Sequence, residues 1–323
     1  MSRLSRPPRH AARRRRKGRQ QGAALLIAML LLTLVASLAS AMVWQQWRAI
    51  QVEAAERSRS QSAWILQGAL DWARLILRED ARSGRPTSLS EPWATPLAEA
   101  RLSTFLAADR DNNADSGPEA FLAGAIQDAQ ARYNLRNLVR DGKVVEAQVA
   151  VLARLCDALG LPPALAEQIA RTLAASAQPG ADTPLAPQRL DQLRWSGLAP
   201  TALDALREHA DLLPVPTAIN LNTASAPVLM AVLEGLDAGS AERLIQARQR
   251  QAFKVADEAR AHIPKQIALD PDRVTTISQF FEIQGQLRLD DRVLRERSLV
   301  ERRGLDVHVL RRERVGLLRP PGT

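Results

Sequence analysis

The run Asp109-Arg110-Asp111-Asn112-Asn113-Ala114-Asp115-Ser116-Gly117 sets hard oxygen ligands at alternate positions. Asp109, Asp111, Asn113 and Asp115 match the first four ligands of a Ca²⁺ loop, Glu119 lies nearby, and calcium is the cofactor such a set could hold. Ala114, however, stands where an EF-hand needs glycine, and Ala120 takes the twelfth position. A solvated polar loop closed by Ser116-Gly117-Pro118 is the other reading, and both stay open. His10, His209, His262 and His308 lack metal-ligand spacing, and there is no P-loop, nucleotide-binding glycine pattern or Ser-His-Asp spacing. No catalytic constellation can be named, so an enzyme is disfavoured. Cys156 is the single cysteine, which excludes an intramolecular disulfide.

A second candidate is Ile219-Asn220-Leu221-Asn222-Thr223-Ala224, followed by Leu229, Leu233-Glu234-Gly235-Leu236-Asp237, Ala241, Ile245, Arg248 and Phe253. It resembles a helix-hairpin-helix unit, including those of membrane-anchored DNA receptors. Thr223 or Ser225 is placed to cap the first helix, with Pro227 in its first turn. A DNA-binding hairpin needs free backbone N–H groups close to phosphate, usually through two glycines. Gly235 is present, but Asp237 replaces the second glycine, and a carboxylate repels phosphate. The expected role is helix packing, with no nucleic acid as partner.

These segments hang on an N-terminal element with its own signal. Arg3, Arg6, Arg9, Arg13 to Arg16, Lys17 and Arg19 precede Gly22 without one acid. The chain has 44 basic and 35 acidic residues; removing those nine leaves 35 and 35, so the formal +9 lies entirely in residues 1–22. Ala23 to Val43 is uncharged, and about 20 apolar residues suffice to cross a bilayer core. Trp44 and Trp47 sit at the far interface. Lys and Arg resist translocation, which sets the N-terminus in the cytoplasm and the bulk in the periplasm, on a single-pass inner-membrane anchor. Ala39-Ser40-Ala41 offers a secretory cleavage site, but the apolar run exceeds a usual signal h-region.

Beyond it, Ile65, Ala69, Trp72 and Ile76 recur beside Leu66, Leu70, Ala73 and Leu77, a broad helical stripe ended by Ser83-Gly84-Arg85-Pro86. A helix over 23–82 would be roughly 90 Å long. Val149, Leu152, Cys156 and Leu159 mark an amphipathic helix, Ala164–Ala177 another, and 188–195 with 200–209 a further pair. Phe281, Ile283, Leu287 and Leu289 alternate with polar residues, and Val293–Arg302 and Asp306–Val315 repeat the period across an Arg303-Gly304 turn.

Arg19-Gln20-Gln21-Gly22 before Ala23-Ala24-Leu25-Leu26 resembles a prepilin peptidase site, and Asp128-x-Gln130-x-x-x-Asn134-Leu135-x-Asn137-Leu138 resembles a segment of the protein K family of type II secretion minor pseudopilins. Pilins usually carry Glu at the fifth mature position; Ile27 stands there, as is similar in the K proteins, which are placed at the pseudopilus tip. The resemblance implies cleavage between Gly22 and Ala23, N-methylation of Ala23, I- and J-type sibling partners, initiation of the pseudopilus, and calcium binding whose ligands it does not map here. It implies an α+β fold: a pilin-like helix on an antiparallel sheet carrying a large all-α insertion. The expected divisions are a leader over 1–22, a transmembrane and spine helix over 23–82, first sheet strands within 83–139, a helical insertion over 140–274 and C-terminal strands over 275–318. A DNA-uptake receptor and a signal-anchored periplasmic scaffold are the alternatives.

Overall fold

Ala, Leu, Gln and Arg dominate residues 20–82 and no proline interrupts them, so the backbone stays helical: α1 spans Gln20–Arg82. The computed structural model describes residues 20–102, 120–177, 184–289 and 292–315, and divides the chain into two units, Met1–Gln61 and Ser62–Thr323. In the first unit the described helix exposes its apolar side chains all round, among them Leu25, Leu32 and Val43. Its later turns become polar and carry the ion pairs Glu53–Arg57 and Glu56–Arg59 at i,i+4 and i,i+3, which support an exposed helix by a few tenths of a kcal/mol, roughly 0.2–0.5 each.

In the second unit the end of α1 packs on a five-stranded antiparallel sheet of β1 (Leu97–Arg101), β2 (Ala120–Asp128), β3 (Phe280–Leu289), β4 (Arg292–Arg303) and β5 (Asp306–Val315), in that spatial order. Alternation sends Phe281, Ile283 and Leu287 of β3 toward the helix, where Leu66, Leu70, Ala73 and Leu77 are buried. Burying each such leucine contributes about 2 kcal/mol. The stripe is narrower than its sequence pattern: Ile65 and Ile76 are only partly buried, and Trp72 is exposed. The sheet needs one row of contacts from a straight helix, which leaves the flanking positions outside.

Of the cross-strand partners Gly124 and Gly285, the second lets the helix approach and the first leaves room for the neighbouring strand. A Cβ on Gly285 would come within 3.3 Å of Leu66 Cδ2, and one on Gly124 within 2.9 Å of the Gln284 carbonyl oxygen. At its C-terminus α1 stops where Gly84 turns to φ 63° and Pro86 follows.

Between the neighbouring strands β2 and β3 the chain leaves the sheet and builds a helical body: α2 (Glu146–Ala158), α3 (Ala164–Ser176), α4 (Pro200–Leu206), α5 (Ala226–Val232) and α6 (Ala238–Arg250). Four expected features differ. The segment 129–139 belongs to this body rather than to the sheet, because Tyr133, Leu135 and Leu138 are buried in its core, and its Asp and Asn side chains cap 3₁₀ turns instead of extending the strand. The body also continues past 274, where Val274–Thr275 pairs in parallel with Ile219–Asn220. The pair foreseen over 188–209 is a 3₁₀ turn at Leu190–Ser196 followed by the short α4. The β4–β5 turn is Gly304-Leu305, one residue later than expected, since Arg303 pairs with Asp306 and Gly304 takes φ 60°.

Exit and re-entry are stitched together by buried polar groups. Asp128 Oδ2, at the end of β2, accepts from Thr223 Oγ1 (2.6 Å), Ser278 Oγ (2.7 Å) and Asn220 Nδ2 (2.9 Å), while Oδ1 accepts from the Gln130 amide (2.8 Å). Burial pushes this carboxyl above the usual carboxylate range, and the four donors offset only part of that push. Gln130 Oε1 accepts from the backbone N–H of Gln279 at 2.6 Å and of Phe280 at 3.3 Å, and its amide donates to Ala218 O. On the far side of the sheet Ala129, Leu213, Phe280 and Leu299 form a small apolar cluster joining the two parts.

Two consequences are measurable by urea unfolding. Asp128→Ala strands three buried donors and is expected to cost about 3 kcal/mol. Gly124→Ala is expected to cost about 2 kcal/mol and more than Gly285→Ala, because a strand carbonyl cannot yield as a leucine side chain can; equal effects would contradict this packing.

Candidate functional site

Two regions carry the functional signals, and each is built locally. In the anchor, Gly22 and Ala23 lie in helical backbone and are exposed, as is Ile27. Residues Gly22–Arg82 hold a helical window long and apolar enough to cross a membrane, none of it buried. Trp44 is more than half exposed, with the Arg48 guanidinium 5.6 Å from its ring centroid, a pairing suited to an interface where an apolar ring meets a polar layer. Residues 1–19 and the candidate ligands Asp109, Asp111, Asn113, Asp115 and Glu119 lie outside the described residues. Among the described residues no group of three or more His, Cys, Asp or Glu side chains is placed to hold a metal ion.

In the helix-hairpin-helix unit, α5 begins after Ser225 with Pro227 in its first turn, and Gly235 makes the hairpin at φ 83°. Ser225 occupies the cap position without bonding the helix backbone; its hydroxyl lies 3.2 Å from His209 Nδ1. Thr223, the other expected cap, donates to Asp128 instead. Asp237 caps α6: Oδ1 accepts from Ser240 N at 2.9 Å and Oδ2 from Ser240 Oγ at 2.8 Å. Ser240's hydrogen bonds hold the Asp237 carboxyl below the usual range, so it stays charged. A carboxylate thus occupies the helix N-terminus at which a phosphate would dock.

Arg248, the best-placed cation of α6, is buried and donates from Nη1 to the Leu221 and Ala224 carbonyls, each at 2.7 Å; burial lowers its pKa to about 10. Asn222 exchanges two hydrogen bonds with the Phe253 backbone, both at 2.9 Å. The unit spends its polar groups on its own backbone. Cys156 faces the same core, fully buried, and burial lifts its thiol to about 11, which leaves it inert.

The amide-rich segment 128–138 proves to be a clasp. Asn134 donates to Val215 O (2.7 Å) and accepts from the Leu213 amide (3.1 Å), while Asn137 donates to Thr217 O (2.9 Å) and accepts from its amide (3.0 Å). Arg132 bridges Glu282 on β3 (3.1 Å) and Asp211 (3.3 Å) while nearly buried. The family resemblance sets this segment among the first strands; its density of Asp, Gln and Asn was the available signal of the clasp.

Comparisons with known proteins agree with this geometry. Residues 131–215 and 219–272 each match a family model described as type II secretion system (T2SS), protein K. The chain is 28% identical over 288 residues to the type II secretion system protein K of Pseudomonas aeruginosa PAO1, covering 80% of this chain and 82% of that one. Its fold resembles a chain in the crystal structure of the GspK-GspI-GspJ complex from the enterotoxigenic Escherichia coli type 2 secretion system, with a TM-score of 0.57, 17% identity, and coverage of 81% of this chain and 98% of that chain. Both halves of the insertion match models of one family description, a relative of that description aligns with most of the chain, and the solved chain shares the mixed α+β fold, so this chain is similar to type II secretion system protein K.

Proposed function

We propose that this chain is the tip subunit whose assembly starts the pseudopilus, acting by packing with siblings rather than by catalysis. The observation that carries this reading is Ile27: the fifth position after Gly22 holds an exposed apolar side chain where pilins usually carry Glu. A carboxylate in lipid is costly unless a neighbour's ammonium pairs with it. A subunit with nothing stacked above it has no such ammonium to meet. The solved GspK-GspI-GspJ complex supports I- and J-type subunits as the packing partners.

The nine basic residues before Gly22 hold that end in the cytoplasm, which puts the bulk of the protein in the periplasm. A prepilin peptidase cuts between Gly22 and Ala23, and Ala23 receives the N-methyl group. The cut removes the whole excess of positive charge and leaves the apolar helix free to leave the bilayer for a bundle of sibling helices.

Mass spectrometry of membrane-extracted protein is expected to find an N-terminus at N-methylated Ala23, and Gly22→Val to retain the leader. A wild-type protein that keeps residues 1–22 would refute processing and favour a plain signal-anchored scaffold. Gel-shift assays of the same protein are expected to show no salt-dependent retardation of duplex DNA, because Asp237 occupies the hairpin's anion position; a steep salt dependence would revive the DNA-receptor reading.

A further inference from the structure

The end of α1 is fastened to the rest of the second unit by charge. Asp80, in its last turn, is buried, and its Oδ2 accepts from Arg302 Nη1 of β4 at 2.6 Å. Its other oxygen, Oδ1, is buried with no hydrogen-bond partner among the described residues. A carboxylate oxygen shut away from water without a donor is costly, so a donor belongs there.

Glu91 supplies the candidate. It follows the turn after α1, its side chain is 5% exposed, and its Oε2 accepts from Trp93 Nε1 at 2.9 Å. The Ser88 backbone N–H also reaches the Glu91 carboxyl, while the exposed Arg85 Nε stands 3.9 Å from Oε1, beyond hydrogen-bond range. Glu91 and Asp80 meet side chain to side chain, and the buried guanidinium bonded to Asp80, Arg302, turns its second nitrogen to Thr87 Oγ1 and the Ser278 carbonyl. The remaining charges of α1 nearby, Glu79 and Arg82, pair with each other at the surface. Two carboxylates and one cation leave a net negative charge in a buried place, and a proton removes it.

We propose that Glu91 and Asp80 form a proton-binding site, in which a proton held on the Glu91 carboxyl is donated in a hydrogen bond to Asp80 Oδ1 and clamps the 83–95 loop to the end of α1. Loss of that proton leaves like charges in contact and loosens the clamp. A cleft lined by Leu75, Glu79, Asp80, Arg85 and Trp93 runs beside the pair. Burial, reinforced by Asp80 and opposed by Trp93, raises the Glu91 carboxyl from its ordinary 4.5 to about 7. Because the folded state holds the proton more tightly than the unfolded chain, the stabilisation is complete below the ordinary carboxyl range. It is lost as pH rises through about 7.

Urea unfolding of the full-length protein in detergent between pH 5 and pH 8.5 tests this. The wild-type unfolding constant is expected to rise about a hundredfold over that range from this group. Glu91→Gln, whose amide donates to Asp80 at every pH, is expected to remove that rise; the histidines are common to both proteins and cancel in the difference. An equal slope in both proteins overturns the proposal. Infrared difference spectra of the wild type give a second readout that needs no variant. A carboxylic-acid carbonyl band that titrates with a midpoint about 7 supports the shared proton, and absence of such a band overturns it.

Discussion

Asp128 is where the fold is held together. It ends β2, the point at which the chain leaves the sheet for the helical body, and its carboxylate is reached by three side chains from two other places: Asn220 and Thr223 in the entry to the helix-hairpin-helix, and Ser278 just before β3. A charge this deeply buried is stable only when its lone pairs are filled, and here four donors fill them. That requirement fixes the relative placement of segments far apart in sequence. A long insertion between two hydrogen-bonded strands must leave and return at nearly the same spot, and one carboxylate defines the spot.

Thr87 extends the same network to α1. Its carbonyl accepts from Asn220 Nδ2, its hydroxyl accepts from the Ser278 amide and from Arg302, and Arg302 reaches Asp80 at the end of α1. Arg302 also lies 4.8 Å from the centroid of Phe281, which meets Trp93 edge-on at 5.4 Å. Apolar packing of the last turns of α1 on the sheet and polar stitching of the insertion thus share residues. The last turns of α1 are thereby tied to both the sheet and the insertion.

The helix-hairpin-helix illustrates how one motif serves a different end when its polar groups are redirected. A glycine in place of Asp237 would leave the N-terminus of α6 open to an anion; the aspartate closes it with Ser240. Arg248, the arginine of that motif, is turned inward onto two carbonyls. What remains is a packing module inside a core that also buries Cys156.

The anchor, the end of α1 at a Gly-Pro breaker, the alternating C-terminal strands and the charge confined to residues 1–22 are legible from sequence because each rests on local periodicity, local composition or a backbone rule. The segment 128–138 is not legible for the complementary reason. Resemblance sets it among the first strands, and only the donors and acceptors at 213–220 and 278–280 show that its polar residues form a clasp. Thr223 left its capping position, Trp72 turned outward and Glu91 came to lie against Asp80 on the same account. Sequence determines what a residue can offer: a charge, an amide, an apolar face, a helical turn. Whether a buried polar group finds its partner is decided by segments a hundred residues away, and only the tertiary structure brings them together.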